Sequence, residues 1–330
     1  MIMKPISIKT GLACILLAVA FLPAANAQYW QAAEPVSLPT NRHENAMTAV
    51  KGKLYLLGGR GVKPMEVYDP KKDIWTTRAM APIEMSHFQA VAYDNKVYVV
   101  GAFTGGYPHE VPIPVMYIYN PERDEWRKGP EIPQDRLRGA AGAFVYNDKI
   151  YIVCGIQDGH WDGHVAWFDE YNPKTNTWRK LADAPRARDH VSVAMVGDKL
   201  YVAGGRLSTA KINQVLNRTI AEVDVYDFKS NSWTTLPKSE NLPTLRAGNM
   251  AVAYGKKILI IGGESDAQVP AHSEVEAFDT KTDQWEKFPN LFQGRHGTGA
   301  VSMNGKVYVV AGSGNRGGGP ELNSMEVLVK

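Results

Sequence analysis

Arginine is the residue type with binding chemistry that recurs most regularly along this 330-residue chain. Six equivalent sites lie thirteen residues before a repeated apolar strand position, and five of them hold arginine. The six residues are Arg42, Met85, Arg138, Arg188, Arg246 and Arg295. The planar guanidinium fork suits bidentate recognition of a carboxylate or a phosphate. The repeated arginines therefore predict a site for an anionic ligand, unless they tie neighbouring repeats together by bonding carbonyl groups or acids.

Other polar residues accompany the arginine position. Adjacent sites hold His43, His87, Asp189, His190 and His296, and the sites after the next strand hold Arg60, Arg206 and Glu264. Acid–base catalysis would need two such groups within reach of a substrate. The candidate acid–base residues are Glu264, His190 and His296. The further candidate ligand-binding residues are His43, His87, Arg60 and Arg206.

A second polar cluster contains His160, Trp161, Asp162 and His164. Two histidines and an aspartate are metal-ligating residue types, but this spacing on a loop matches no defined metal site. We therefore expect a polar loop in which Trp161 covers a ligand, and the sequence predicts no metal and no cofactor.

The elements that must position these residues follow from an internal repeat. Tryptophans separated by 45, 51, 52, 55 and 52 residues stand at Trp30, Trp75, Trp126, Trp178, Trp233 and Trp285. An aromatic residue precedes each of the last five by seven positions: Tyr68, Tyr119, Tyr171, Tyr226 and Phe278. The residues between them are rich in Asn, Asp and Pro, which favour turns, so each pair predicts a β-hairpin.

A second hairpin lies upstream of each aromatic residue. Its apolar strand ends in a pair of small residues: Gly58-Gly59, Gly101-Ala102, Cys154-Gly155, Gly204-Gly205, Gly262-Gly263 and Ala311-Gly312. Each unit thus has four short strands, which bury their faces only by stacking on neighbouring units.

The small pair, the aromatic residue and the tryptophan together resemble the kelch repeat. The resemblance covers nearly all of the chain after residue 27 and implies an all-β, six-bladed kelch β-propeller with four antiparallel strands per blade. The sixth unit stops at its third strand, whereas Trp30 stands alone before the first unit. We therefore expect the N-terminal strand to complete the last blade and close the ring.

The strand order predicts a functional face. Long connections leave the second strand and enter the innermost strand on the same side of the ring, and function concentrates on such loops. Trp161, Trp167, Tyr107 and Phe103 are expected near this rim, where aromatic rings could stack on a sugar. The sequence therefore predicts an exported module that binds an anionic carbohydrate or sugar acid.

Two alternatives remain open. The chain is similar in export, repeat type and blade number to the periplasmic N-acetylneuraminate epimerases, which implies a sugar-acid mutarotase with Arg188 and Arg295 holding the carboxylate. The kelch domains of ubiquitin-ligase adaptors grip acidic peptides through arginines at this repeat position, which implies a protein-interaction scaffold. Galactose oxidase, another kelch propeller, needs a cysteine cross-linked to tyrosine, and Cys154 at a strand end does not match that requirement.

The first residues predict export. Lys4 and Lys9 precede an apolar run, and Ala25-Asn26-Ala27 supplies the small residues that a signal peptidase recognises. We expect residues 1–27 to be a cleaved signal peptide, and 28–330 to be a periplasmic or secreted propeller domain. Cleavage lowers the net charge from +3 to +1, because two lysines and no acids are lost. This small charge predicts no nucleic-acid or membrane partner, and we expect a monomer.

Overall fold

The structure, a computed structural model, describes residues 1–2 and 28–330. Positions 3–27 of the predicted signal peptide lie outside the described residues. The described chain is an all-β propeller of six antiparallel four-stranded sheets, which confirms the predicted fold and blade number. Among the described residues, no helix has the length and apolar character needed to span a bilayer.

The first strand of the chain is β1 (Tyr29–Ala33). Blade 1 consists of β2 (Asn45–Val50), β3 (Lys53–Gly58), β4 (Pro64–Asp69) and β5 (Ile74–Met80). Blade 2 consists of β6 (Val91–Tyr93), β7 (Lys96–Val99), β10 (Val115–Asn120) and β11 (Glu125–Glu131), with a side hairpin of β8 (Phe103–Thr104) and β9 (Val111–Pro112). Blade 3 consists of β12 (Gly142–Tyr146), β13 (Lys149–Val153), β16 (Phe168–Asn172) and β17 (Thr177–Lys180), with a side hairpin of β14 (Ile156–Asp158) and β15 (Asp162–His164).

The second half of the ring follows the same order. Blade 4 consists of β18 (Val193–Val196), β19 (Lys199–Val202), β20 (Asp224–Asp227) and β21 (Ser232–Thr235). Blade 5 consists of β22 (Met250–Tyr254), β23 (Lys257–Ile261), β24 (Val275–Asp279) and β25 (Gln284–Lys287). Blade 6 contains β26 (Gly299–Met303), β27 (Lys306–Ser313) and β28 (Glu321–Val329). Short 3-10 helices occupy Gln134–Arg136, Ala210–Ile212 and Lys238–Glu240.

The ring is closed by β1, which supplies the outer strand of blade 6. It pairs antiparallel with β28 from Tyr29 opposite Val329 to Ala33 opposite Met325. Trp30 is buried between blades 5 and 6, where its indole nitrogen donates a 2.7 Å hydrogen bond to the carbonyl of Pro289. The predicted closure by the N-terminal strand is confirmed.

The repeated aromatic residue and tryptophan face each other on the outer two strands. Tyr68 is the register partner of Trp75, and their ring centroids are 5.3 Å apart. The equivalent pairs in blades 2 to 5 have centroid distances of 5.0 to 5.3 Å. In blades 3, 4 and 5 the tryptophan also donates to a carbonyl of the preceding blade, as Trp178 does to Glu131 at 2.9 Å. The repeat thus fastens each of these outer strands to its neighbour.

Candidate functional site

The five predicted arginines lie inside the blades. Their side chains are at most 1 % exposed, although they stand directly before the innermost strands. Each pairs with a carboxylate on the third strand of its own blade: Arg42 with Glu66, Arg138 with Asp169, Arg188 with Asp224, Arg246 with Glu276 and Arg295 with Glu326. The N···O distances are 2.8 Å in blade 3 and 2.7 Å in blades 5 and 6.

The same arginines also bond the end of the second strand. Arg138 donates to the carbonyl of Cys154 at 2.7 Å, and Arg246 donates to the carbonyl of Gly262 at 2.7 Å. In every case the acceptor is the first residue of the small pair, which the remaining three arginines reach at Gly58, Gly204 and Ala311. The guanidinium therefore joins three segments of one blade, and it neither bridges neighbouring blades nor faces the channel.

Blade 2 lacks both members of this pair. Met85 replaces the arginine, and Tyr117 stands where the other blades have the acid, two residues before the repeated aromatic residue. Arginine and acid are thus present together or absent together, which is typical of a structural pair. The acid two positions before four of the five repeated aromatic residues was a signal in the sequence that indicates a partner for the arginines within the blade.

The ring places a cavity at the channel mouth instead. It has a volume of about 660 Å³ and opens among the long loops. Six of the predicted site residues line it: His43, His87, Arg60, Arg206, Glu264 and His296. Several glycines, among them Gly105 and Gly106, also line it. Trp161 lies outside the lining, with its ring centroid 4.7 Å from that of His109.

The predicted aromatic rim is only partly present. Tyr107 lines the cavity and is 60 % exposed. Phe103 is fully buried, and Trp167 lies against the Arg136 guanidinium at 4.4 Å from its ring centroid. The expectation that Phe103 lies at the rim is wrong: its backbone pairs with Ser86, and its ring packs against buried Ala140 and Ile156.

A chain of charged groups forms one wall of the cavity. Arg206 contacts Glu264 at 2.5 Å, and His296 lies 3.4 Å from both Glu264 and Glu44. Burial alone would raise the pKa of Glu264, but His296 and Arg206 lower it to about 2. Burial would lower the pKa of His296, but Glu264 and Glu44 raise it to about 9. Both residues are therefore charged at neutral pH.

The pKa values of the three candidate acid–base residues thus lie away from neutral pH. Burial, together with Arg206 nearby, lowers the pKa of the third candidate, His190, to about 4. Acid–base catalysis is most effective when the catalytic pKa lies near the working pH. In this state of the site, Glu264, His190 and His296 have protonation states that are fixed around pH 7.

Arg60 stands on the opposite side of the mouth. Its guanidinium pairs with Glu110, and its side chain remains 25 % exposed. Burial alone would raise the pKa of Glu110, but the hydrogen bond with His160 and nearby positive groups hold it well below its usual value. Glu110 therefore links the guanidinium to a histidine that comes from the β14–β15 hairpin.

Three histidines from different blades meet beside this cavity. The ring centroids of His87 and His160 are 5.2 Å apart, those of His87 and His190 are 5.0 Å apart, and those of His160 and His190 are 4.5 Å apart. All three side chains are buried. They are the one group of histidine, cysteine and acidic side chains in the described residues with metal-ligating atoms this close together.

The backbone directs two of these histidines to the mouth. His87 and His190 adopt left-handed φ angles of 55° and 49°, which are uncommon for residues other than glycine. They occupy the position two after the arginine site, where other blades have Glu44, Ala140, Gly248 and Gly297 with similar angles. Backbone bonds between blades run through this position, as from His87 N–H to Glu44 carbonyl at 3.1 Å.

Comparison with known proteins assigns the chain to a family. The KLHDC2/KLHL20/DRC7 Kelch-repeats domain matches residues 89–312, which is more than half of the chain. The chain belongs to the kelch-repeat family. It is 27 % identical over 287 residues to Kelch-like protein terF of Aspergillus terreus, covering 82 % of this chain and 61 % of that one.

Other kelch proteins are similar over comparable lengths. Kelch-like protein 23 of Homo sapiens is 24 % identical over 301 residues, covering 87 % of this chain and 50 % of that one. This kelch chain therefore spans half to three fifths of the length of these curated relatives. The solved structure titled "Structure of YjhT" superposes with a TM-score of 0.73 at 18 % identity, covering 88 % of this chain and 96 % of that one, and this likeness shows the fold.

Sequence reasoning missed the position of His160 beside two other histidines of this kelch propeller. The residue was assigned to a polar loop because its sequence neighbours, Asp162 and His164, do not make a metal motif with it. Its partners in space are His87 and His190, which are 73 and 30 residues away. Both partners occupy the repeat position two after the arginine site. This shared position was a signal in the sequence, because residues there face the channel mouth.

Proposed function

We propose that this kelch propeller binds a small polyhydroxylated ligand of the sugar or sugar-acid class in the channel-mouth cavity. The observation that carries the proposal is the cavity itself, whose volume of about 660 Å³ lies within the range of small-molecule sites. Fixed charges on its walls, together with the exposed ring of Tyr107, offer hydrogen-bond partners and a stacking surface.

The charges support a polar ligand that is at most singly anionic. Arg206 is neutralised by Glu264, and Glu84 adds a further carboxylate to the lining. Arg60 is the guanidinium that combines a cavity position with a partly exposed side chain, so it is the residue proposed to contact a ligand carboxylate. The displaced pKa values of the acid–base candidates favour binding over mutarotation.

Calorimetric titration with glucuronate and glucose, which differ by one carboxylate, tests the proposal. We expect the sugar acid to bind more tightly, and Arg60→Gln to remove most of that preference. A charge-assisted hydrogen bond contributes about 1.5 to 3 kcal/mol, so the preference should be roughly tenfold or more. A panel of other sugars and sugar acids at the same concentrations extends the test to different ring stereochemistry.

A blocked variant distinguishes the cavity from other surfaces. Gly106 lines the cavity, and a Cβ atom added to it would meet no atom within 4 Å. We therefore expect Gly106→Trp to fold and to fill the mouth. Thr282→Trp, at an exposed turn on the opposite face, is the matched control. Sugar binding that survives Gly106→Trp, or that no member of the panel shows, would contradict the proposal.

A second candidate function is docking of a protein segment on the same face. Four exposed apolar side chains lie on the long loops: Val62, Val111, Ile212 and Val269, each at least 51 % exposed. Such side chains mark interaction surfaces when they form a patch. Binding of acidic peptides that is weakened by Val269→Asp and insensitive to Gly106→Trp would favour this function over sugar binding.

We also propose that residues 28–330 act outside the cytoplasm. The support is the basic and apolar N-terminal segment followed by Ala25-Asn26-Ala27. The intact mass of the protein recovered from the periplasm or medium should correspond to a chain that begins at Gln28. Retention of residues 1–27, or a lipid adduct on Cys14, would refute this proposal.

A further inference from the structure

We propose that His87, His160 and His190 bind one divalent transition-metal ion whose open coordination position faces the cavity. The three imidazoles come from blades 2, 3 and 4, and one nitrogen of each lies within 4.8 Å of the others. Imidazole nitrogen is a preferred ligand of Zn²⁺, Cu²⁺, Ni²⁺ and Fe²⁺. Three histidines with a free position are the ligand set of open zinc sites.

The hydrogen bonds of the rings orient the remaining nitrogens. Nδ1 of His87 lies 3.0 Å from the Ser86 hydroxyl, and Nδ1 of His190 lies 2.5 Å from the Asp189 carboxylate. Nδ1 of His160 lies 3.0 Å from the Glu110 carboxylate. A metal-bound histidine ordinarily donates its second nitrogen to an oxygen in this way, which fixes the tautomer and aims the other nitrogen at the ion.

The Nε2 atoms of His190 and His87 have different surroundings. Nε2 of His190 is buried and has no hydrogen-bond partner, and the residue is only 6 % exposed. Leaving a buried polar atom unpaired is unfavourable, so such an atom points to a missing ligand. Nε2 of His87 lies 3.5 Å from a carboxylate oxygen of Glu44, which places an additional oxygen near the same space.

The three ring nitrogens would need to move only a short distance to bind one ion. Zn–N bonds measure about 2.0–2.1 Å, so nitrogens up to 4.8 Å apart would move toward a common centre by less than about 1 Å. His160 lies on the β14–β15 hairpin, outside the four-stranded sheet of blade 3. That position allows the ring to move while the blades stay fixed. His87 and His160 also line the cavity, so a bound ion would be accessible to small ligands.

Metal titration of the full chain tests the site. After removal of metal with a chelator, calorimetry with Zn²⁺ should show one ion bound per chain, and Co²⁺ should produce visible absorption bands. His190→Ala and His160→Gln should each weaken Zn²⁺ binding by more than about 100-fold, because loss of a partner outside the ligand set already costs 10- to 100-fold. His160→Gln is the safer variant for folding, because its side chain belongs to a hairpin.

The matched control is His272→Ala. His272 is also buried, but its two nitrogens already contact Ser265 and Glu274. This variant should bind Zn²⁺ like the parent. Absence of saturable binding in the parent, or equal affinity in the folded His160→Gln variant, would overturn the proposal and leave three packed imidazoles as the role of the cluster. When the sugar titrations are run with the chelator present, their failure is distinguishable from failure of this site.

Discussion

The arginine–carboxylate pairs are the most regular polar feature of single blades. Each is fully buried, and each carboxylate also receives hydrogen bonds from the segment before the innermost strand, as Glu326 does from the backbone N–H of Phe292. Such a pair holds three segments together, and its energetic value depends on both charges being present. The repeat position and residue type of the arginines predicted either a ligand site or a structural tie between repeats, because a sequence position before a strand does not reveal which way a side chain turns.

Replacing one member of a pair should destabilise the blade strongly. Arg295→Met leaves Glu326 buried without its partner, and breaking a buried pair in this way costs about 3 to 5 kcal/mol. The double variant Arg295→Met with Glu326→Tyr copies blade 2, which has Met85 and Tyr117, and should recover part of this loss.

Equilibrium unfolding in urea measures both variants. The control is Arg179→Met, whose side chain is 63 % exposed although it pairs with Glu170, so the change should be within about 1 kcal/mol. A double variant less stable than Arg295→Met alone would contradict the view that the pair is a replaceable structural unit.

The stability contributed by His296 should depend on pH. Its pKa is raised to about 9 in the fold, above the ordinary value of 6.5, by Glu264 and Glu44 and despite burial. The protonated ring therefore stabilises the fold fully below about pH 6.5, and this contribution is lost as the pH rises through 9. The difference in melting temperature between the parent and His296→Gln should be larger at pH 6 than at pH 10. An equal difference at both values would show that the ring is neutral in the fold.

The strand β1 is the outer strand of blade 6 and the only strand of that blade that comes from the other end of the described chain. It pairs with β28 and reaches the core through a single large side chain, Trp30, which is 3 % exposed. An unpaired outer edge in blade 6 would also expose backbone groups that invite pairing with other chains.

Removing the indole should weaken closure. Trp30→Ala should lower the free energy of unfolding by about 3 to 5 kcal/mol, as for other buried aromatic residues. Tyr29→Ala, one residue earlier and 54 % exposed, is the matched control and should change it by less than about 1 kcal/mol. Equal urea midpoints of unfolding for Trp30→Ala and Tyr29→Ala would contradict the view that Trp30 stabilises the closed ring.

Across the whole molecule, the fold was more predictable than the site. Blade number and closure follow from spacings such as that from Tyr171 to Trp178, which describe local hairpins and repeat along the chain. The histidine cluster depends on the angle between blades and on the path of the β14–β15 hairpin, and neither is encoded in a local spacing. Cavity residues such as Arg60 were identified because their position relative to the small pair fixes the face on which they lie.

Connecting the chain ends should preserve the ring. Val329 and Tyr29 are opposite each other, so an Asn-Gly turn between Lys330 and Gln28 would make β28 and β1 a local hairpin. A permutant of 28–330 that begins at Pro35 keeps every strand pair and should melt near the parent temperature while folding faster, because its contacts are more local. Stopped-flow refolding and thermal melting measure this, with a permutant cut at Ser230 inside blade 4 as the control that restores a non-local outer strand.

Blade 2 also bears on how a ring of this kind changes over generations. In a blade with the buried pair, substitution of the arginine leaves the acid buried without a partner, and substitution of the acid does the same to the arginine. Either first step is therefore strongly unfavourable. The reverse path, from Met85 and Tyr117 to a charged pair, meets the same barrier. Blades that arose by duplication would therefore diverge easily in their loop sequences while keeping this pair. The different residues of blade 2 would then require two substitutions together rather than a series of single ones.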